Sequence, residues 1–75
     1  MVKRHPVLTA LGLNVRRRRE AQELTQEALA EKADLDQTYI SGIECGVRNP
    51  SLLVMTRLAK ALALTTAELC EGVDA

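Results

Sequence analysis

The 75-residue sequence has little aromatic character and no excess of either charge. Tyr39 is its only aromatic residue, so any core must be built from aliphatic side chains. A chain of this length forms at most one domain with one small core, which leaves little room for a buried enzyme pocket. Ten basic and ten acidic residues cancel, and a net charge of zero, taken alone, argues against a nucleic-acid binder.

The apolar runs, the N-terminus and the cysteines exclude further classes of protein. No apolar run approaches the ~18 residues of a membrane-spanning helix, and the first residues lack the apolar segment of a signal peptide. We therefore expect a cytoplasmic protein with no membrane partner. Cys45 and Cys70 stand apart, and His5 is the one histidine, so we expect no metal site, no cofactor and two free thiols. An inter-subunit disulfide or a redox sensor is the alternative for the cysteines.

The composition favours helix along the whole chain. Ala, Leu, Glu, Arg, Lys and Gln have high helix propensity, and apolar residues recur at spacings of three and four. We predict an all-α domain over residues 1–75, with frayed ends at about 1–6 and 72–75. Helices are expected at about 7–22, 25–33 and 36–45, followed by a fourth helix after Ser51 and a short fifth helix after Thr65.

Residues that can cap a helix mark these boundaries. Potential N-caps precede four of the five helices: Thr25, Asp36, Ser51 and Thr65. Glu68 follows Thr65 at the spacing of a capping box, and Gly46 can end the third helix. The fourth helix carries a strongly amphipathic series, which we expect to face the core: Leu52, Met55, Leu58, Ala59 and Leu62.

The second and third helices are separated by only Asp34 and Leu35. Two helices joined so closely must cross steeply, as they do in a helix-turn-helix. Ala30 supplies the small residue that such a crossing requires. Asp34 stands where the tight turn usually has glycine, and aspartate tolerates a positive φ there at a cost of about 1 kcal/mol.

The ordered motifs of the chain resemble the phage-repressor (Xre-type) helix-turn-helix family over about residues 11–69. They are Arg16-x-x-Arg19, Leu24-Thr25-Gln26-Glu27-x-Leu29-Ala30, Tyr39-Ile40-Ser41-x-Ile43-Glu44-x-Gly46, Arg48-Asn49-Pro50-Ser51 and Leu58-Ala59-x-Ala61-Leu62. Residues 35–44 further resemble the controller proteins of restriction–modification systems. Gln37 and Cys45 stand where those controllers often have arginine, so the operator sequence does not carry over.

The resemblance implies a five-helix, repressor-like DNA-binding domain with its helix-turn-helix at about residues 25–45. It also implies a homodimeric, sequence-specific transcription regulator that binds a near-palindromic double-stranded DNA operator and needs no small-molecule ligand. Autoregulation of a restriction–modification operon is the expected role. An antitoxin or protein-interaction module of a toxin–antitoxin pair is the alternative. We expect no enzyme, because the sequence offers no nucleophile–base pair, metal cluster or phosphate loop.

The third helix is the expected reader of DNA bases. Its base-contacting residues are predicted to be Gln37, Thr38 and Ser41. Gly42 leaves the same face bare and would allow close backbone approach. Contacts to phosphate are expected from residues around this helix: Arg16, Thr25, Gln26, Arg48 and Asn49. Tyr39 either packs against the fourth helix or reaches phosphate or base near the dyad.

Arg19 continues the apolar stripe of the first helix and therefore needs a carboxylate partner. Glu44, on the inward side of the third helix, is the candidate, and the family resemblance also pairs these two positions. A structural salt bridge is expected.

Apolar residues near the C-terminus exceed what one small core needs. We assign four of them to a two-fold subunit interface, with completion of the monomer core as the alternative: Leu53, Val54, Leu64 and Leu69.

The zero net charge divides unevenly along the chain. Residues 1–19 contain six basic and no acidic residues, residues 20–47 contain seven acidic residues and one basic residue, and residues 48–75 balance. A neutral protein can thus present a basic edge.

Overall fold

The computed structural model describes residues 4–74, and these fold into five α-helices with no strand among them. The helices are α1 (Pro6–Ala21), α2 (Gln26–Ala33), α3 (Gln37–Glu44), α4 (Leu52–Ala61) and α5 (Thr66–Leu69). The all-α prediction is confirmed. The predicted frayed ends include residues 1–3 and 75, which lie outside the described residues, while Pro6 already belongs to α1. None of the described helices is both long enough and apolar enough to cross a membrane.

The expected N-caps fix the starts of α2 to α5. The Thr25 hydroxyl accepts the backbone N–H of Ala28 at 3.0 Å, and the Asp36 carboxylate accepts that of Thr38 at 2.7 Å. These bonds satisfy N–H groups that have no partner within the helix. The Ser51 hydroxyl does the same for α4. Each predicted range that began on a cap therefore started one residue before the helix.

Thr65 and Glu68 form the predicted capping box at the start of α5. The Thr65 hydroxyl accepts the Glu68 N–H at 3.0 Å, and the Glu68 carboxylate accepts the Thr65 N–H at 2.9 Å. The cap of α1 was not predicted: the imidazole Nδ1 of His5 accepts the Val7 N–H at 3.2 Å. Pro6 then occupies the first helical position, where its missing N–H costs nothing.

Two residues in the left-handed region end α2 and α3. Asp34 has φ +55°, as predicted for the turn of the helix-turn-helix, and Gly46 has φ +76°. The Gly46 N–H bonds to the Ile43 carbonyl and the Val47 N–H to the Gly42 carbonyl, both at 3.0 Å. These two bonds form a Schellman motif, which turns the chain sharply at the end of α3.

The core is aliphatic and is shared by all five helices. Its buried members are Leu11, Val15, Leu29, Ala30, Ala33, Ile40, Ile43, Met55, Leu58, Ala59, Leu62 and Leu69. α3 packs against both α1 and α2, while α4 packs against α2 and α5. The inner side of α3 is therefore held by two helices, and its outer side is left for solvent.

Two leucines occupy the opposite environments from those predicted. Leu52 was expected to face the core, but its side chain is 72% exposed, because the inward stripe of α4 begins only at Met55. Leu69 was assigned to a subunit interface, and that assignment is wrong. It is fully buried, because α5 folds back onto α4 and α1 and inserts this side chain into the monomer core.

α1 and the end of α3 approach each other most closely at Gly12. A Cβ built on Gly12 would lie 2.3 Å from the carbonyl oxygen of Ile43 and 2.6 Å from that of Glu44. Glycine is therefore required there by the backbone of α3. This contact brings the C-terminal end of α3 alongside α1.

Candidate nucleic-acid interface

α3 exposes polar side chains to solvent while its two isoleucines are buried. Ile40 and Ile43 are inaccessible to solvent, whereas Gln37 and Thr38 are exposed and Ser41 is half-buried. The helix cannot rotate about its axis without exposing both isoleucines. Its outward face is consequently fixed by the packing of its inward face, and the three residues predicted to read bases lie together on one helix.

Arg19 of α1 and Glu44, the last residue of α3, form the ion pair that the sequence predicts. Arg19 Nε donates to Glu44 Oε2 at 2.7 Å and Nη2 donates to Oε1 at 3.0 Å, a bidentate arrangement. Glu44 is 3% and Arg19 12% exposed at the side chain. The hydrogen bond to Glu44 raises the pKa of Arg19, so the guanidinium stays charged. A third bond, to the Leu24 carbonyl at 2.8 Å, ties the same side chain to the turn before α2.

Gln26 shares the carboxylate of Glu44. Its Nε2 donates to Glu44 Oε1 at 3.1 Å, so the first residue of α2 is joined to the last residue of α3. This bond uses one of the two amide hydrogens. The second amide hydrogen, together with the backbone N–H groups at the start of α2, is what this segment can offer to a phosphate. Thr25 is exposed beside it, with its hydroxyl engaged as the N-cap.

Arg48 and Asn49 follow the turn after α3, and both are exposed. The Arg48 guanidinium lies over the ring of Tyr39, with Cζ 5.9 Å from the ring centroid. Tyr39 is half-buried and packs against the core, so its ring belongs partly to the fold. Asn49 lies beside the first residues of α1, where His5 and Leu8 line the same cleft.

Arg16 lies on α1 and is exposed. Its Nε is 3.5 Å from Glu20 Oε2, and both side chains are more than half exposed. An exposed pair of this kind contributes little to stability. Arg16 is therefore accessible to an anion, unlike Arg19, which occupies the buried end of the same helix face.

Three polar side chains with structural tasks were missed by sequence reasoning. Each donates to carbonyl groups at the C-terminal end of another helix. The Asn14 amide bonds to the Leu69 and Glu71 carbonyls at 2.9 and 2.8 Å, and the Gln22 amide bonds to the Leu62 carbonyl at 2.7 Å. Arg57 does the same at the end of α2. The partners are far apart in sequence, so no local spacing could have indicated these bonds.

The described residues contain no group of three metal-ligating side chains. Cys45 is exposed at the end of α3, and Cys70 is half-buried at the end of α5; both are free thiols.

Comparison with known proteins places this arrangement in a family. A family model described as helix-turn-helix matches residues 15–69. Control protein C.MunI from a Mycoplasma species is 40% identical over 57 residues, which cover 76% of this chain and 77% of that protein. Control protein C.BamHI from Bacillus amyloliquefaciens is 41% identical over 61 residues, covering 80% of this chain and 75% of that protein.

Similarity of the fold to a solved structure supports the same family assignment. The crystal structure of the restriction–modification controller protein C.AhdI from Aeromonas hydrophila aligns with a TM-score of 0.81 and 42% identity, covering 83% of this chain and 94% of that one. The matched segment contains α2, α3 and the turn between them. The chain therefore belongs to the Xre-type helix-turn-helix family of DNA-binding transcription regulators.

Proposed function

We propose that this protein is a restriction–modification controller: a homodimer that binds a near-palindromic operator and regulates the operon that contains its own gene. The names of the relatives above support the controller role. The observation that carries the proposal is on α3, where Gln37 and Thr38 are exposed on a helix that is held in place by its buried residues Ile40 and Ile43.

Base reading is assigned to the N-terminal part of α3. In helix-turn-helix proteins this part of the second helix enters the major groove. Gln37 can bind adenine through two hydrogen bonds, and Thr38 offers a hydroxyl to a base edge and a methyl group to thymine. Ser41, one turn further along, is placed to accept or donate a third bond.

Phosphate contacts are assigned to the residues that border α3 in the fold. These are Arg16, Thr25, Gln26, Arg48 and Asn49, and their contacts would set the register of α3 in the groove. The chain as a whole is neutral, so the non-specific affinity for DNA should be modest and should fall with salt. Selection of an operator then depends mainly on base contacts and on dimerisation.

The dimer interface is assigned to the apolar surface that begins with the first turn of α4. Leu53 is 76% exposed there, next to the exposed Leu52. Two adjacent leucines this accessible are more than the scattered apolar exposure of a typical monomer surface. Val54 and Leu64, both half-buried, complete the assignment. A two-fold axis would then place the two α3 helices about 34 Å apart, one turn of DNA.

Selection of bound duplexes from a random pool tests the DNA-binding proposal. A near-palindrome with half-sites about one helical turn apart should emerge. The variant Gln37→Ala/Thr38→Ala should lose about 1–3 kcal/mol of discrimination for each base pair that these side chains read, with its affinity for unselected DNA unchanged. Lys32→Ala, an exposed residue of α2, is the control. Equal affinity of the wild type for all sequences would reject the proposal.

Sedimentation equilibrium tests the interface. Leu53→Glu should convert the dimer to a monomer and leave the helical circular dichroism intact, because the side chain contributes little to the monomer core. Leu13→Glu places the same change on an exposed leucine of α1 and should leave the dimer in place. A monomeric wild type at the concentrations that saturate DNA would contradict the dimer.

A further inference from the structure

Gly42 lies in the interior of α3, where glycine is unfavourable relative to alanine. Its position has a specific neighbour. A Cβ built on Gly42 would lie 2.5 Å from Cγ, 3.4 Å from Cδ and 3.2 Å from Nε of Arg48. Three successive atoms of one arginine therefore run directly over the bare backbone of this glycine.

The main chain of Arg48 is also hydrogen-bonded to Gly42. The Gly42 carbonyl accepts the backbone N–H of Val47 at 3.0 Å and that of Arg48 at 3.3 Å. The left-handed Gly46 makes this return of the chain possible. Both the backbone and the aliphatic stem of Arg48 are thus placed against one position of α3.

The charged end of the arginine is placed by a third contact. Tyr39 precedes Gly42 by three residues and so lies on the same side of α3. The guanidinium lies over the Tyr39 ring, 5.9 Å from its centroid. An arginine in a loop normally samples many rotamers, and ordering such a side chain on binding has an entropic cost. Contacts at the backbone, the aliphatic stem and the guanidinium of Arg48 reduce the number of rotamers that this side chain samples before any partner is bound.

We propose that Gly42 is a positioning residue: it leaves free the track along which Arg48 extends over Tyr39, and so holds the Arg48 guanidinium ready for a DNA phosphate. The proposal rests on the proposed DNA-binding function for its consequence, although not for its geometry. A competing explanation is that Gly42 is bare so that the DNA backbone itself can approach α3. The two explanations differ in whether the effect of a methyl group at residue 42 depends on Arg48.

The geometry can be tested without DNA by NMR. Because Tyr39 is the chain's only Phe, Tyr or Trp residue, ring-current shifts of the Arg48 side-chain protons report on that ring. Wild-type Arg48 protons should be shifted upfield, and the shift should disappear in Gly42→Ala as it does in the reference variant Tyr39→Leu. Unchanged Arg48 shifts in Gly42→Ala would overturn the proposal, since the arginine would then accommodate the methyl group without moving.

The consequence for binding is tested by a double-mutant cycle on a duplex selected with the wild type. Arg48→Ala should weaken binding about tenfold, as expected for one charge-assisted phosphate contact, and Gly42→Ala should weaken it by a smaller factor, because the guanidinium is displaced but still present. The combined variant should be no weaker than Arg48→Ala alone, because the methyl group then has no arginine to displace. Arg48→Ala should also reduce the slope of log affinity against log salt by about 1, and Gly42→Ala should do so in part.

An equal loss from Gly42→Ala in both backgrounds would overturn the proposal and favour direct approach of DNA to residue 42. Failure of the wild type to select any duplex would instead reject the proposed function, and the NMR shifts would still decide the geometry. Thermal unfolding of the wild type, the two single variants and the double variant separates effects on binding from effects on folding. A decrease in midpoint caused by Gly42→Ala that vanishes in the Arg48→Ala background supports the contact, and one that persists in that background overturns it.

Discussion

Arg57 of α4 holds Asp34, the residue that turns the chain between α2 and α3. Its Nε donates to the Ala33 carbonyl at 3.2 Å, its Nη2 donates to the Asp34 carbonyl, and Nη2 lies 3.4 Å from the Asp34 carboxylate. Asp34 has φ +55°, which glycine adopts without steric cost. The arginine thus supports from another helix a turn in which aspartate is less favourable than glycine by about 1 kcal/mol.

Replacing Arg57 should destabilise the helix-turn-helix. We expect Arg57→Ala to lower the free energy of unfolding by about 1–2 kcal/mol, because two carbonyl groups at the end of α2 lose their donor. A loss of 1 kcal/mol in a domain of this size corresponds to a decrease of about 4–8 °C in the unfolding midpoint. Lys60→Ala, an exposed cation on the same helix, should change the midpoint little.

Within this contact the carbonyl bonds should outweigh the ion pair. The Asp34 side chain is fully exposed, so its charge interaction with Arg57 is screened by water. Asp34→Asn keeps the tolerance for a positive φ and removes only the charge. We expect it to change the free energy of unfolding by less than about 0.5 kcal/mol, measured by urea titration. A loss as large as that of Arg57→Ala would show that the ion pair dominates.

The two arginine–glutamate pairs of α1 should differ greatly in energetic importance. Arg19→Ala leaves the carboxylate of Glu44 buried without its main partner, and we expect a loss of about 3 kcal/mol or more. Arg16→Ala breaks a pair that is more than half exposed and should cost less than about 0.5 kcal/mol. Chemical denaturation of both variants measures the difference. Equal effects would contradict the structural role of the buried pair.

Gly12 should not tolerate alanine. In an isolated helix Gly→Ala is favourable by about 1 kcal/mol. Here the new methyl group would meet the carbonyl oxygens of Ile43 and Glu44, which belong to backbone and cannot rotate away. We expect Gly12→Ala to destabilise the protein by about 1–3 kcal/mol through displacement of α3. Calorimetry decides the sign, and a higher midpoint would mean that α1 and α3 do not pack this closely.

The capping box of α5 should make stability depend on pH. Hydrogen bonds to the backbone and side chain of Thr65 lower the pKa of Glu68 below its usual value. The carboxylate therefore contributes stability that is fully present above the pKa of the unfolded chain and is lost as pH falls through the lower pKa of the folded chain. Unfolding midpoints of wild type and Glu68→Gln should differ at neutral pH and converge in acid. Glu71→Gln, outside the box, is the control.

Local chemistry explains how much could be predicted. The caps at Thr25, Asp36 and Thr65 each bond to a backbone group two or three residues away, so the sequence alone specifies them. The left-handed Asp34 follows from the shortness of its turn. Arg19 could be paired with Glu44 because a charge on an apolar stripe requires a partner, and few acidic residues face inward. The short turn between α2 and α3 and the exposed polar residues of α3 were likewise predicted from local sequence patterns.

Tertiary structure decided what depends on the placement of one helix against another. Leu52 and Leu69 are both apolar residues at helical spacing. The orientation of α4 in the fold leaves Leu52 exposed, and the packing of α5 against α4 and α1 buries Leu69. The bonds from Asn14 and Gln22 to distant carbonyls depend equally on that arrangement.

Gly42 illustrates, at a single residue, what the sequence can predict and what only the tertiary structure decides. The sequence indicates that an interior glycine in α3 needs a reason, because glycine weakens a helix. It cannot indicate which atoms fill the space, since Arg48 returns to α3 only after the left-handed turn at Gly46. Sequence thus determined the helices and their polar face, through interactions within a few residues. Packing between helices, which brings distant residues within van der Waals contact, decided which side chains are buried and how the exposed ones are held.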